Sequence, residues 1–268
     1  MKFAAVGFTC IDVYNNLDKQ YATGNGVDLL FNLQELLPNI KGSVVTAVGD
    51  DTYGQLMIDT CKSRGVDTRY IRRVFGGKTA VIEMQLNGKD RVHHKVERGV
   101  MQDYDLTDED LDFIIQQDCI HTDLSWKVTK FLPMIRKNNT KIYFDFSKRF
   151  SHPDVNEICR HINWGIFSFN QDTPQVRDLL MKGCQLGAEV LIATFGERGA
   201  LACDGKDYYF QPALPTPYLV NTVGAGDSFG AGFLSGILSG KSIDKSMQLG
   251  AEKACEIVSI FEPYNIRE

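Results

Sequence analysis

Asn221-Thr-Val-Gly-Ala-Gly-Asp-Ser-Phe229 is the stretch that decides how the rest of the chain is interpreted. This glycine-rich turn leads directly into an apolar run, residues 230–240, whose spacing predicts a helix. If the helix begins at Ala225, the backbone N–H groups of residues 224–227 are first-turn donors at the positive end of the helix dipole. Such helix ends bind anions, and glycines let a phosphate approach the backbone closely.

Asp227 is the unusual member of this stretch, because a carboxylate beside a phosphate site repels the ligand. Its presence is explained if it takes a proton from the nucleophile that attacks the phosphate. The stretch therefore indicates a kinase that acts on an alcohol. The alternative is structural: Asp227 is a first-turn acid that favours the helix dipole, and Gly226, Gly230 and Gly232 allow close helix packing.

Composition narrows the class of protein. The chain has 268 residues, 43% of them hydrophobic, and a net charge of −5 with 29 dispersed Lys and Arg. We expect one domain with an insertion, and no nucleic acid as a partner, because α/β domains of this length are commonly single and no basic patch is evident. No apolar run approaches a membrane span, and seven cysteines without a CxxC pair favour reduced thiols in the cytoplasm.

Strand and helix patterns alternate along most of the chain, which predicts an α/β fold with a mostly parallel sheet flanked by helices. The predicted strands are residues 3–7, 43–48, 119–121, 141–146, 165–169 and 190–194, with a hairpin at 201–203 and 208–210. The predicted helices are residues 28–37, 53–63, 107–116, 126–137, 175–184, 225–240 and 243–261.

Residues 70–98 differ from this alternation. Residues 79–86 and 91–96 are short strand patterns on either side of Asn87-Gly88, which is a hairpin signal. We expect a small antiparallel β-sheet inserted in the α/β domain as a lid, with lid segments at about 12–22 and 70–98. Its histidines, His93 and His94, point to opposite faces of a strand, so the sequence assigns no metal ligands.

Polar residues follow several of the predicted strands. Asp12 comes after the first strand, near the sheet edge where open α/β sheets bind ligands, and its carboxylate can accept hydrogen bonds from two sugar hydroxyls. Thr23-Gly-Asn-Gly-Val-Asp28 opens a helix and offers backbone amides. Three later strand ends are polar as well: Asp145-Phe-Ser147, Ser168-Phe-Asn170 and Thr194-Phe-Gly-Glu-Arg-Gly199. Each alone is better explained as a turn or a cap, but their shared edge favours a binding site.

In this order the motifs resemble the ribokinase-like sugar kinases, also called the phosphofructokinase-B family. The resemblance covers nearly the whole chain and rests on Asp12, Gly24-Asn-Gly-Val-Asp28, Val48-Gly-Asp-Asp-Thr-Tyr-Gly54 with Gly65-Val66, Thr194-Phe-Gly-Glu-Arg-Gly199 and Asn221-Thr-Val-Gly-Ala-Gly-Asp227. It implies one ribokinase-like domain over residues 1–268 with an α/β core under a small β lid. It also implies that ATP phosphorylates a sugar hydroxyl, with Mg²⁺ as cofactor.

The same resemblance implies a role for each motif residue. Asp227 is then the base that activates the acceptor hydroxyl, beside an anion hole made by the amides of Gly224, Ala225 and Gly226. The implied sugar-binding residues are Asp12, Gly24, Asn25 and Asp28. The implied nucleotide-binding residues are Asn170, Thr194, Gly196 and Gly199.

Within the family, the sequence looks most like the bacterial fructoselysine 6-kinases, on Asp90-Arg-Val92, Gly99-Val-Met101 and Phe144-Asp-Phe-Ser147. These enzymes phosphorylate a sugar joined to an amino acid. Such an acceptor carries an ammonium and a carboxylate, so the site should offer an acid and a base beyond the sugar-binding set. Asp123 and Arg91 are the candidates, Arg91 from the lid.

Four positions depart from the family pattern. Thr23 replaces the first glycine of the usual pair, Asp28 stands in place of the usual Asn, and Asn170-Gln-Asp-Thr173 replaces the NxxE signature. Asn221 stands where Asp is commonest, which leaves a monovalent cation open as a further cofactor.

These departures keep two alternatives open: a kinase for another ketose, a sugar acid or a nucleoside, and a sugar- or nucleotide-binding relative without catalysis. The exposed strand edges of a β lid are often covered by another subunit, so we also expect a homodimer through the lid.

Overall fold

Strands and helices alternate along the chain, as the hydrophobic pattern predicts. The computed structural model describes residues 1–87, 90–216 and 218–266, with only the backbone of residues 86, 87, 90, 91 and 93. The strands are β1 Lys2–Val6, β2 Cys10–Tyr14, β3 Lys19–Thr23, β4 Lys41–Gly49, β5 Ile71–Val74, β6 Val81–Asn87, β7 Asp90–Glu97, β8 Cys119–Asp123, β9 Lys141–Ser147, β10 Trp164–Ser168, β11 Val190–Thr194, β12 Ala200–Cys203 and β13 Tyr208–Gln211. The α-helices are α1 Asn25–Leu36, α2 Thr52–Ser63, α3 Asp108–Ile114, α4 Leu132–Lys137, α5 Val155–Cys159, α6 Pro174–Leu186, α7 Ala225–Leu238 and α8 Ile243–Ile257.

A large sheet of nine strands forms the centre of the fold, in the order β13-β12-β11-β10-β9-β8-β1-β4-β5. Its strands are parallel from β5 to β11, whereas β12 and β13 continue the sheet antiparallel. Alternate residues of β1 face opposite sides: Phe3 joins the core under α1, α7 and α8, while Ala4 joins the core under α3 to α6. Burial on both faces explains why the parallel strands read as nearly continuous apolar runs.

A small sheet of four strands, in the order β3-β2-β6-β7, lies apart from the large one. β2 pairs antiparallel with β3 and parallel with β6, and β6 pairs antiparallel with β7. The turn predicted at Gly88 lies outside the described residues. The region predicted as lid also contributes elsewhere, because β5 pairs with β4 at the edge of the large sheet.

Two helix predictions were too long. The helix predicted over residues 126–137 is a 3₁₀ turn at Thr129–Phe131 followed by the short α4. Pro133 lies in the first turn of α4, where its missing N–H does no harm, and it could not occupy the interior of a longer helix. The helix predicted to reach residue 261 ends at Ile257. Among the described residues, none of the helices has the length and apolar character needed to cross a membrane.

Candidate active site

The turn before α7 is shaped by two glycines with different surroundings. α7 begins at Ala225, as predicted, and its N-cap Gly224 has a left-handed backbone with φ 66°. A Cβ on Gly224 would lie 2.6 Å from the Cβ of Pro263, so a side chain is excluded there. A Cβ on Gly226 would meet no atom within 4 Å. Packing therefore does not require a glycine at 226, and the space above the first turn of α7 is open to a ligand.

The alternative interpretation, that glycines allow close helix packing, holds for the later glycines of α7. A Cβ on Gly230 would collide with the hydroxyl of Tyr143, and one on Gly232 would lie 2.7 Å from the Cα of Gly250 in α8. These glycines allow close packing of α7 on the sheet and on α8. Gly226 belongs with the ligand-binding interpretation instead.

Asp227 lies half-buried in the first turn of α7. Burial raises the pKa of its carboxyl well above the ordinary value, and the negative charges of Asp28, Asp145 and Asp123 raise it further. The four carboxyl groups are thus close enough to influence one another. A carboxyl with this environment accepts a proton far more readily than one in water, as a general base requires.

Asp28, in the first turn of α1, is almost completely buried. The Thr23 hydroxyl donates to its Oδ2 at 2.6 Å, while its Oδ1 has no hydrogen-bond partner in the described structure. Burial raises the pKa of Asp28 well above the ordinary value, and the charge of Asp12 on β2 adds to this, whereas Arg64 opposes it. Thr23 and Asp28 both depart from the family pattern, and they form one feature, because the hydroxyl of Thr23 donates a hydrogen bond to the carboxylate of Asp28.

Asp123 and Asp145 lie opposite each other at the ends of β8 and β9. Burial raises the pKa of both, that of Asp145 from 3.8 to about 6, and the charge of Asp123 contributes to the shift of Asp145. Asn25, the first residue of α1, donates its side-chain amide to Asp145 Oδ2 at 2.9 Å. The Asp123–Asp145 pair, as we call these two, connects the α1 turn to the carboxyl edge of the sheet.

A repeated local sequence pattern marks both members of the pair. Each carboxylate is followed two residues later by a serine, and each accepts a hydrogen bond from that serine's backbone N–H: Ser125 for Asp123 and Ser147 for Asp145. An Asp-x-Ser turn repeated after two strands predicts two carboxylates fixed at the same edge. The sequence predicts Asp123 as a candidate acid, but its pairing with Asp145 is not among the predictions.

The predicted sugar-binding residues cluster in this region. Gly24, at the N-terminus of α1, has φ 146°, and a Cβ on it would lie 3.1 Å from the Cα of Thr9. Asn25 follows it and bonds to Asp145, as described above. Asp12 is buried in β2 beside Asp28. Arg91 lies in β7, and its side chain is outside the part of the chain that the structure describes.

The predicted nucleotide-binding residues lie at the ends of β10 and β11, along the same edge of the sheet. Asn170 is exposed, and its carbonyl oxygen accepts a hydrogen bond from Arg198 at 3.1 Å. Thr194 donates its hydroxyl to the carbonyl oxygen of Phe167 at 3.2 Å. Gly196 and Gly199 both have positive φ, 60° and 96°, and a Cβ on Gly196 would meet nothing within 4 Å. The backbone at Gly196 is therefore open to a ligand on this side of the edge.

The segment that replaces the NxxE signature has local structural roles. Asp172 forms an ion pair with Arg177, with 2.6 Å between Oδ2 and Nη2. Thr173 is the N-cap of α6 and accepts from the backbone N–H of Val176 at 3.3 Å. Both side chains are thus engaged in local contacts. In the described parts of the chain, no three Asp, Glu, His or Cys side chains are grouped so as to hold a metal ion.

Two cavities differ in their relation to these residues. A narrow one borders Asp123 and is lined by the backbone turn after β1 and by the start of α1. A larger one, of about 330 Å³, lies between β13 and the first turns of α8, lined by Tyr209, Gln211, Asp244 and Gln248 among others. None of the predicted site residues lines the larger cavity.

Comparison with known proteins gives a consistent result. The family model described as "pfkB family carbohydrate kinase" matches residues 5–117 and 139–265. Fructoselysine 6-kinase of Shigella flexneri is 30% identical over 95% of this chain and 96% of its own length, and a fructosamine kinase of Bacillus subtilis is 26% identical over 97% and 92%. The structure of Arabidopsis thaliana ribokinase with ribose and ATP matches with a TM-score of 0.80 and 18% identity, over 97% of this chain and 93% of that one, which shows the fold.

Proposed function

The chain belongs to the pfkB family of carbohydrate kinases and is an ATP-dependent sugar kinase, and from this premise we propose that its acceptor is a sugar joined to an amine. The specific acceptor in this proposal is fructoselysine, which is phosphorylated at its 6-hydroxyl. The relatives with that activity are about 30% identical, which by itself does not transfer a substrate. The proposal therefore depends on what the acceptor side of the site offers to a ligand.

The observation that carries the proposal is the excess of negative charge around Asp227. Five carboxyl groups are electrostatically linked there. The charge of Asp12 raises the pKa of Asp28, and the charges of Asp28, Asp123 and Asp145 raise the pKa of Asp227. Burial raises the pKa values of Asp28, Asp123, Asp145 and Asp227, and neighbouring negative charges add to the shifts of Asp28, Asp145 and Asp227, which expresses the cost of burying these carboxylates together. The amine that links sugar and amino acid in fructoselysine is protonated at neutral pH and would relieve this cost, whereas a neutral ketose would not.

In the proposed reaction each residue does one task. Asp227 accepts the proton of the attacking hydroxyl, and the first-turn amides of α7, from Gly224 to Gly226, donate to the phosphate that is transferred. Asp12 and Asp28 hold sugar hydroxyls, with Thr23 fixing the orientation of Asp28. The Asp123–Asp145 pair faces the cationic part of the acceptor.

The residues present fit ATP and Mg²⁺. The open space above Gly226 and beside Gly196 leaves backbone accessible to phosphates, which is what an anion at a helix N-terminus requires. Mg²⁺ is commonly held by one or two carboxylates together with substrate phosphates, so a set of three protein ligands is not needed. When bound, Mg²⁺ neutralises charge that develops on the transferred phosphate.

A monovalent cation has less support as a cofactor. The side-chain amide of Asn221 donates to the carbonyl oxygens of Phe261 at 2.9 Å and of Ile260 at 3.4 Å. These oxygens are therefore partnered by the protein itself. We propose that turnover proceeds without a specific monovalent cation.

The small sheet is proposed as the lid over the acceptor, within a single kinase domain. β7 is an edge strand, and Val92 and Val96 on it are each 47% exposed. A second copy of the chain pairing at this edge would cover them, so we propose a homodimer through the small sheet; a monomer mass in solution would contradict it.

All seven cysteines are free thiols, which favours the cytoplasm as the compartment in which the enzyme acts.

The acceptor is tested by coupling ADP formation to a spectroscopic signal with Mg²⁺ and ATP present. The acceptors compared are fructoselysine, fructose, ribose, a gluconate derivative and adenosine. We expect fructoselysine to be turned over with a kcat/KM at least tenfold above each neutral sugar. Faster turnover of fructose, ribose or adenosine would exclude fructoselysine as the preferred acceptor, and ATP binding without turnover of any acceptor would favour a binding protein.

A further inference from the structure

Two polar side chains lie buried beneath the proposed site without any partner. His121 in β8 and Tyr143 in β9 are each 1% exposed, they are opposite each other in the register of the two strands, and their ring centroids are 5.9 Å apart. Both ring nitrogens of His121 and the hydroxyl of Tyr143 have no hydrogen-bond partner in the described structure. Buried polar groups are nearly always satisfied, so an unsatisfied pair requires an explanation.

Glycines in the covering helices make room for these polar atoms. A Cβ on Gly26 of α1 would lie 2.9 Å from Nδ1 of His121, and a Cβ on Gly230 of α7 would collide with the hydroxyl of Tyr143. Phenylalanine at 143 would fill most of the same space without a hydroxyl that needs a hydrogen-bond partner. The hydroxyl under α7 therefore requires a glycine at position 230, inside a helix, although glycine is unfavourable for helix formation.

The hydroxyl of Tyr143 lies under the same helix face as Asp227. Asp227 and Gly230 are three residues apart on α7, and residues at this spacing are neighbours on a helix surface. Burial raises the pKa of Tyr143, and the charges of Asp145 and Asp227 raise it further, so the phenol stays protonated and remains a hydrogen-bond donor. The neighbouring charges that raise the pKa of Asp227 are those of Asp28, Asp145 and Asp123, and all three are negative.

We propose that Tyr143 is a positioning residue that donates a hydrogen bond, through one buried water molecule, to the carboxylate of Asp227. The neutral imidazole of His121 gives that water a second protein partner, since burial lowers the pKa of His121 to about 3. The bond opposes the surrounding carboxylates and keeps Asp227 ionised and oriented to receive a proton. The inference rests on Asp227 as the base of the proposed function.

The test is a carbon-detected NMR titration of protein with ¹³C-labelled Asp carboxyl groups, with Asp227 assigned as the signal missing from Asp227→Asn. Loss of a donor disfavours the charged carboxylate, so Tyr143→Phe should raise the pKa of Asp227 by about one unit, a tenfold change in its proton affinity. Tyr104→Phe is the matched control, because it removes another buried tyrosine hydroxyl, one that donates to Asp110 at 2.8 Å. It should leave the Asp227 titration unchanged.

A second variant protects the test against a general disturbance of packing. Gly230→Ala displaces the Tyr143 hydroxyl, so it should raise the pKa of Asp227 in the natural background and leave it unchanged when combined with Tyr143→Phe. An Asp227 titration unaltered by Tyr143→Phe, or shifted equally by Tyr104→Phe, would overturn the proposal. The titration needs no acceptor, so it can be read even if fructoselysine proves not to be the substrate.

With an active acceptor, the same shift in the pKa of Asp227 should appear in the pH dependence of kcat/KM. The acid limb of kcat/KM should move about one unit higher in Tyr143→Phe, with the alkaline plateau within twofold of the natural enzyme. An equal loss at every pH would indicate a purely structural role and would also overturn the proposal.

Discussion

The ends of β8 and β9, on the proposed acceptor side, present carboxylates, whereas the ends of β10 and β11, on the proposed nucleotide side, present glycines, with open backbone at Gly196. On the acceptor side, Asp28, Asp123, Asp145 and Asp227 raise one another's pKa or lie buried together. On the nucleotide side, Gly196 and Gly199 have positive φ and Asn170 is exposed. Under the proposed function, one sheet edge would bind an acceptor selected by charge and a nucleotide accommodated by shape. Side-chain substitutions should therefore change the choice of acceptor far more than the affinity for nucleotide.

The largest expected effect is that of Asp227→Asn. Loss of the general base should lower turnover by ~10² or more while nucleotide affinity stays near normal. Steady-state kinetics and calorimetric titration with an ATP analogue measure the two quantities separately. Asp172→Asn, on the nucleotide side, is the matched control, because its carboxylate is engaged by Arg177, and it should change turnover by less than about twofold. Unchanged turnover in Asp227→Asn would refute the role given to this residue.

Gly226→Val tests whether the first turn of α7 receives the phosphate. A Cβ at 226 would meet no atom of a neighbouring element within 4 Å, so the melting temperature should change little, while kcat/KM for ATP should fall by about tenfold or more because the phosphate is displaced. Gly232→Ala is the converse control: its methyl group would meet the backbone of α8, so stability should fall. Normal ATP kinetics in Gly226→Val would place the phosphate elsewhere.

Asp123→Asn examines the charge selectivity of the acceptor side. A charge-assisted hydrogen bond contributes about 1.5 kcal/mol or more, so kcat/KM for fructoselysine should fall about tenfold while that for a neutral sugar does not fall. Ser125→Ala keeps the carboxylate and should retain the preference. If Asp123→Asn weakened both acceptors equally, Asp123 would be excluded as a determinant of charge selectivity.

Asp145→Asn should reveal the cost of the clustered charges in the stability of the protein. The pKa of Asp145 is raised from 3.8 to about 6, so between these values the folded form holds a proton that the unfolded form has lost. Stability contributed by this group is therefore complete below about pH 4, falls as pH rises to about 6, and is absent above that. The substitution should raise the free energy of unfolding by about 1–2 kcal/mol at pH 7.5 and by nearly nothing at pH 4.

Urea denaturation at the two pH values measures this difference. Asp154→Asn, which removes an exposed carboxylate, should leave both free energies within about 0.5 kcal/mol of the natural protein. An Asp145→Asn variant less stable at pH 7.5 than at pH 4, relative to the natural protein, would contradict the sign of the effect.

The two sides also differ in how much of them the sequence predicts. Strand ends such as Thr194 and the α7 turn could be located because a local pattern of glycines and a change of periodicity marks each one. The adjacency of Asp123 and Asp145 depends on strand order, which no local pattern contains. β2 was not predicted as a strand, because Asp12 interrupts its apolar pattern and is buried only through contacts with distant parts of the chain. The unpartnered Tyr143 could not be predicted either, since its surroundings come from α7, over eighty residues later in the sequence.

The strand order has a consequence for how the molecule folds. From β8 to β13 neighbouring strands are consecutive in the chain, whereas β1 pairs with β8, joining Phe3 to Cys119. Contacts between near neighbours in sequence close small loops and form sooner than those that join distant segments. Backbone amides of β10 and β11 should therefore gain protection from hydrogen exchange before those of β1 during refolding, and protection of β1 first would contradict this order. The block from β8 to β13, which carries Asp123 and Asp145 as well as the proposed nucleotide-binding turns, is then the scaffold on which β1 is assembled.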